Sequence, residues 1–494
     1  MILVRNLLQP LSGSKTIFYI VILGLTFSSC DLFKKIQDDD DTAVETGDEL
    51  EPIQGRKVYD PETGTWVIVE EAVTEKMDTV AWREIPTSDD PPITATGESP
   101  VSGSASNVID VTDFGSQLLN IYNVSVVLPF LTDRFSPLDA GIYPNSLWAL
   151  NYYAGTQMAL EVLDNEGVKL NVSVMDSGAS AGTTSSLIRT SSDLTESHLI
   201  IGPYRRDNVA LLAQMAKQRG SVLVSPQSAA SGISSLNPNY VQVNPTLETH
   251  SEAILQHALT HHHSKNIVLV SKDNPNEVSR LTYFRDEYNR YNRGRPVAPL
   301  QELLIPESEA TSMENVDFTP IMQQSDTTVF IVPNWEETFV YALLRKIDVS
   351  RDPYETVVVY GMPQWKDFEK IDFDYYEKLQ VHISSSVFVN PLDPDVRLFK
   401  QQFYDLYGAI PTDEAFVGYD VMLYFGRMLK KYGTKFQYAL EGAEEEGLHT
   451  TFEFERVVRP GTTSGIETNE IEQFENKYVN ILMFKNYQFQ KALE

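Results

Sequence analysis

From residue 119 onward the chain alternates short apolar runs with segments of helical spacing, and this alternation restricts the folds open to it. Residues 124–129 (VSVVLP) read as a short buried strand ending in proline. Residues 148–163 (WALNYYAGTQMALEVL) carry apolar side chains at helical spacing, and Gly167 follows as a stop. The pattern then repeats: strand 170–175, helix 184–194, strand 198–201 leading into Gly202-Pro203, helix 208–217 closed by Gly220, and strand 221–225. Strand–helix repeats of this length predict a parallel sheet with helices on both faces, a doubly wound layer. A second such unit follows. It contains helix 252–260, strand 266–270, helix 276–291, strand 329–332, helix 336–345 and strand 356–360, and it runs on to the apolar stretch 381–388. Helices are expected at 396–407 and 413–431, and the tail, 450–490, alternates apolar and polar residues as antiparallel strands do.

Four stretches in this order carry a resemblance: VSVVLPF (124–130) ahead of GTQMALEVL (155–163); IIGPYRRDN (200–208); VLVSPQSAA (222–230); and DFTPIMQQ (317–324) with FYDLYGAIPTDEAFVGYDVMLYF (403–425). The ordered set resembles the type I periplasmic binding proteins, the branched-chain amino-acid and receptor ligand-binding-region group, over residues 122–490. The resemblance implies an α/β fold of two lobes, each a doubly wound, mostly parallel sheet, facing each other over a cleft that closes by hinge motion. The lobes are expected at 119–245 with 386–433, and at 246–385 with 434–494.

The region before 119 reads differently. Basic Arg5 and Lys15 precede an apolar run of 11 residues, 17–27, and then Ser28-Ser29-Cys30. That run is too short for a membrane span, which needs ~20 residues, and it suits an export signal over 1–29. LTFSSC (25–30) is similar to a bacterial lipobox, which makes Cys30 the lipidation site; an ordinary secretory signal with an incidental cysteine is the alternative. Cys30 is also the chain's one cysteine, so no internal disulfide can form. Residues 30–118 read as a tether. Asp38–Asp41 open an acidic tract, 86–106 is rich in Pro, Ser and Gly, and a turn at 61–64 suggests a small hairpin near 57–70. A flexible chain of this length spans on the order of 50 Å. The expected location is the cell envelope, on a bacterial membrane through a lipid anchor, with the outer membrane favoured. The formal charge of −30 argues against nucleic acid and anionic membrane surfaces as partners.

Little in the sequence suggests bond-breaking chemistry. Gly178-Ala179-Ser180-Ala181-Gly182 matches the G-x-S-x-G pattern of serine hydrolases. However, one strand instead of several precedes the strand that leads into this turn, and Ser180 stands past the strand end with His449 as the one late histidine candidate. A glycine-rich loop at a strand's carboxyl end is the preferred reading, with a Ser180 hydrolase as a minor alternative. His261-His262-His263 sit side by side at a helix end and do not converge on one ion, so no metal is expected. No cofactor is expected, because neither the phosphate-cradling G-x-x-x-x-G-K-[ST] nor the Rossmann G-x-G-x-x-G occurs.

The resemblance places ligand contacts on loops after strand ends. The candidates are Asp133, Arg205, Arg206, Gln227 and Ser228 in the first lobe, and Asp273, Asn334, Trp335 and Trp365 in the second. Where amino-acid binders of the family usually carry a small hydroxyl after Gly-Pro, this chain has Tyr204-Arg205-Arg206. Two functions follow. One is a lipid-anchored, non-catalytic solute-binding protein for an amino acid, peptide or other small carboxylated ligand, with a transporter permease as partner. The other is a scaffold lipoprotein that acts on an envelope protein partner such as a peptidoglycan synthase.

Overall fold

The computed structural model describes residues 56–60, 65–69, 111–135, 141–322, 327–459 and 470–492. Cys30, Asp38–Asp41 and the linker 86–106 lie outside them. The chain divides into two units, 1–98 and 99–494. In the first, β1 (Arg56–Asp60) and β2 (Thr65–Val69) pair antiparallel, with Arg56 opposite Val69 and Asp60 opposite Thr65.

The second unit holds two seven-stranded sheets. The first begins with β3 (Tyr122–Leu128), β4 (Leu170–Asp176), β5 (Leu199–Ile201), β6 (Val222–Ser225) and β7 (Tyr240–Gln242), all parallel. The second is built on β8 (Ile267–Lys272), β9 (Gln301–Ile305), β10 (Thr327–Ile331), β11 (Thr356–Gly361) and β12 (Val381–Ser385), also parallel. The central strands are continuous apolar runs because helices cover both faces; all six residues of β8 are buried. A short ladder of β13 (Glu445–Glu446) and β14 (Thr451–Phe452) precedes β15 (Phe454–Val458), β16 (Ile471–Asn476), β17 (Asn480–Lys485) and β18 (Gln488–Lys491).

The tail corrects the expected lobe boundaries. Segment 434–494 does not belong to the second lobe as a whole. Strands β15 and β16 extend the first sheet, in the order β15-β16-β7-β6-β5-β3-β4, whereas β17 and β18 extend the second, in the order β18-β17-β12-β11-β10-β8-β9. Nor is the tail wholly antiparallel, since β16 runs parallel to β7. The chain therefore passes between the sheets three times, at 243–246, 386–393 and 477–479. Buried Glu475 ties the first and third passages together. It accepts from the Thr246 N–H at 2.8 Å, from the Thr249 hydroxyl at 2.7 Å and from the Lys477 ammonium at 3.1 Å. Two predicted helices are each split: 184–194 into Ala181–Thr190 and Ser192–Thr195, and 276–291 into Pro275–Val278 and Leu281–Tyr291.

The first lobe's core is clamped by the helices Leu147–Asn165 and Asp413–Tyr432. They approach so closely that a Cβ at Gly155 would lie 1.8 Å from the Ala415 carbonyl oxygen, and one at Gly418 would lie 2.0 Å from that of Tyr152. Glycine is the residue that permits this crossing. None of the described helices is long and apolar enough to cross a membrane.

Candidate functional site

The loop after β11 carries Lys366, whose ammonium reaches the Asp413 carboxylate of the first lobe at 2.7 Å. Beside that bridge lies a cavity of about 610 Å³. Its walls come from the loop after β3 (Pro129, Leu131), the start of the helix Leu147–Asn165 (Leu147, Trp148, Asn151), the loops after β4 and β5 (Ala179, Tyr204, Arg205) and the start of the helix Asp413–Tyr432 (Thr412, Glu414). A cleft at carboxyl strand ends is where open α/β sheets take ligands.

The first-lobe wall is held by Asp176. Its carboxylate accepts from the N–H groups of Leu131 (3.2 Å), Thr132 (2.8 Å) and Gly178 (2.8 Å) and from the Thr132 hydroxyl (2.7 Å). Partial burial pushes the carboxyl up, but these bonds, led by those from Thr132 and Gly178, outweigh it and hold Asp176 below its ordinary range. The acid thus pins the loop after β3 to the loop after β4. The Trp148 and Tyr204 rings meet edge to face at 5.0 Å between centroids. Arg205 is exposed, and its Nη1 donates to the Ala179 carbonyl at 3.1 Å. That bond uses one of five guanidinium N–H donors, so the fork retains donors for an anion.

Ser180 stands at the N-cap of the helix Ala181–Thr190, where its hydroxyl oxygen accepts from the Thr183 N–H at 3.4 Å. The histidine paired with it in the hydrolase alternative, His449, bonds the Asp420 carboxylate. Ser180 occupies a helix-capping position, past the end of β4.

The other first-lobe candidates are arranged differently. Arg206 donates to the Ser231 carbonyl at 3.0 Å and the Gly232 carbonyl at 3.2 Å. Both arginines therefore bind backbone carbonyls, with no carboxylate partner among the described residues. Asp133 is exposed and 3.5 Å from the neighbouring Arg134. The Gln227 backbone carbonyl accepts from the Asn244 amide, and Ser228 is buried. Of the five first-lobe candidates, Arg205 alone lines the cavity.

The second-lobe wall is a closed polar network. Lys272, at the end of β8, places its ammonium 2.9 Å from Glu277 and 2.5 Å from Glu336. Burial lowers the Lys272 pKa, but its bonds to Glu336 and Glu277 prevail and hold it above its ordinary value. Asn334 donates to Glu277 at 2.7 Å and accepts from the Glu336 N–H at 2.7 Å. The Arg280 guanidinium lies 3.7 Å from the centre of the Trp335 ring, which is 41% exposed. Asp273 is exposed, and its N–H donates to the Ile305 carbonyl. Trp365 is no ligand contact. It is fully buried, its Nε1–H donates to the Asn334 carbonyl at 2.7 Å, and its ring fills the space a Cβ at Gly361 would need. It packs as core because the glycine four residues earlier leaves room for it.

The sequence reading missed Trp148, Asn151, Thr412 and Glu414. The available signal was Pro411-Thr412-Asp413-Glu414, a cap with acids in the first helical turn, which marks a helix start. His261 stacks on His257 at 4.3 Å, beside Tyr360 and His382. Among the described residues no group of three or more His, Cys, Asp or Glu side chains is placed to hold a metal ion.

No family model matches the chain, and no curated protein matches it in sequence. Solved structures do match. A Rhodospirillum rubrum structure assigned to a branched-chain amino acid ABC transporter aligns over 75% of this chain and 99% of its own, at 15% identity and a TM-score of 0.56. An ABC transporter substrate-binding protein of Desulfitobacterium hafniense, in complex with Leu, aligns over 75% and 100%, at 15% identity and a TM-score of 0.50. The likeness is one of fold: the chain has the two-lobed fold of the type I periplasmic binding proteins.

Proposed function

We propose that this chain is an extracytoplasmic solute-binding protein that takes a small carboxylated ligand, such as an amino acid or short peptide, into the cleft between its lobes without transforming it. The observation that carries this reading is the cavity at the first lobe's strand ends, which Arg205, the Trp148–Tyr204 pair and Glu414 all line. A guanidinium and a carboxylate in one cavity suit a ligand bearing both charges, and the aromatic pair suits an apolar side chain. The Leu bound to the Desulfitobacterium hafniense protein has that chemistry. In this reading Cys30 is lipidated, the acidic segment after it is a leash, the membrane is the outer one, and the partner is a transporter permease. A thermal-shift screen of amino acids, short peptides and small carboxylates tests it. Stabilisation by at least one of them, lost in Arg205→Ala, is the expected result; no shift across the set would reject it.

One observation favours a second reading, a scaffold that works by protein contact on an envelope enzyme such as a peptidoglycan synthase. The second-lobe wall spends its polar groups on one another, with Lys272, Glu277, Asn334 and Glu336 mutually bonded. A tight protein partner in a pull-down, with no small-molecule response in the screen, would favour that reading.

A further inference from the structure

A second cavity, of about 380 Å³, opens between the helices Pro394–Tyr407 and Asp413–Tyr432 and β13, and shares no lining residue with the cleft. Its carboxylates outnumber its cations. Asp393, Asp395, Asp420, Glu445 and Glu446 line it against a single guanidinium, that of Arg427. That guanidinium is already taken, by Glu166 at 2.6 Å and Glu445 at 2.5 Å, and Asp420 is taken by His449. Asp393 caps its helix by accepting from the Asp395 and Val396 N–H groups. Asp395 and Glu446 have no cationic partner among the described residues. Apart from Gln402, the rest of the wall is mostly apolar and aromatic, with Phe399, Tyr419 and Phe452 prominent.

A smaller space of about 80 Å³ adjoins it through Asp393, Glu446, Gly447 and Leu448. This space contributes an observation independent of charge. Thr450, which lines it, is 6% exposed, and its hydroxyl has no hydrogen-bond partner among the described residues. A buried hydroxyl without a partner costs free energy unless something meets it. The same space is bounded by Phe388 and Asn390 of the second passage between the lobes, by Tyr478 of the third, and by Lys491, whose ammonium donates to the Tyr478 hydroxyl at 3.0 Å.

We propose that this hinge cavity is a second ligand site, for a small organic amine. Its ammonium groups sit between the Asp395 and Glu446 carboxylates, its methylene body lies against Tyr419 and Phe399, and an N–H donates to the Thr450 hydroxyl. Because the walls include two of the three passages between the lobes, an occupant favours whichever lobe spacing it fits best. The helix Asp413–Tyr432 also lines both cavities, with Glu414 at the cleft and Tyr419 at the hinge. This site does not depend on what the cleft binds.

The test is calorimetric titration of the full chain with spermidine and, separately, with Ca²⁺, at about 150 mM salt, where the charge field beyond roughly 8 Å is screened. The expected result is saturable spermidine binding that weakens by about tenfold or more, ~1.4 kcal/mol, in Asp395→Asn/Glu446→Gln, with the melting temperature unchanged. Tyr419→Ala weakens it as well, because the methylene body loses its wall. Absence of spermidine heat, or unaltered affinity in the double variant, would overturn the proposal. Displacement of spermidine by tighter-binding Ca²⁺ would overturn it too, in favour of a metal site.

Discussion

The two walls of the cleft are built on opposite principles. In the first lobe the polar groups at the strand ends bind backbone. Asp176 is saturated by N–H groups, and Arg205 gives a single bond to a carbonyl, so its charge stays available. In the second lobe the charges bind each other, with Lys272 held by two carboxylates and Asn334 joining them. A wall that answers charge with backbone can still receive an ion, whereas one that answers charge with charge has its donors and acceptors already engaged. In the proposed reading, the first lobe is the receiving face and the second the closing face.

Four variants test that contrast. The largest effect is expected in the second lobe. Lys272→Met leaves the buried Glu277 carboxylate without its cation and should cost about 3 to 5 kcal/mol in a denaturant titration. A loss under about 1 kcal/mol would show that the network is not the lobe's structural centre. In the first lobe, Gly155→Ala drives a methyl group into the Ala415 carbonyl and should cost roughly 3 kcal/mol, with the cavity distorted because both helices line it.

Asp176→Asn should cost about 1 to 2 kcal/mol at neutral pH, a figure reduced because the carboxylate is partly exposed. The sign follows from its lowered pKa. The folded protein binds the Asp176 proton less readily than the unfolded chain does, so this stabilisation is complete above the unfolded value of roughly 3.9 and is lost as pH falls through the lower folded value. Wild type and variant should therefore converge in stability in acid; a gap that stays constant down to the acid limit would contradict the assignment. The smallest effect is Lys366→Gln, which removes an exposed bridge between the lobes. It should change stability by less than about 1 kcal/mol. Its signature is a larger radius of gyration in solution scattering, and no change in radius would mean that the bridge does not hold the lobes together.

The fold was largely legible because parallel strands buried on both faces write themselves as apolar runs, as in β3, β8 and β11. Strands β7 and β9 were missed for physical reasons. The first has only three residues, and the second is an edge strand with exposed Gln301 and Glu302. The division of the tail between the sheets was out of reach, since the pairing of β16 with β7 is a long-range contact with no local signature. At the site, Arg205 could be located because it follows Gly-Pro at a strand end. The fates of Asn334 and Trp365 depend on Glu277 and Gly361, partners that become visible once the chain is folded.

The account depends most on Arg205 as the anionic ligand's anchor on the receiving wall. Calorimetry of the best small carboxylate from the screen, with wild type and Arg205→Ala compared under one buffer, measures this directly. The expected result is affinity weakened by about tenfold or more, as loss of a charge-assisted bond requires. Equal affinity in the two proteins would contradict it.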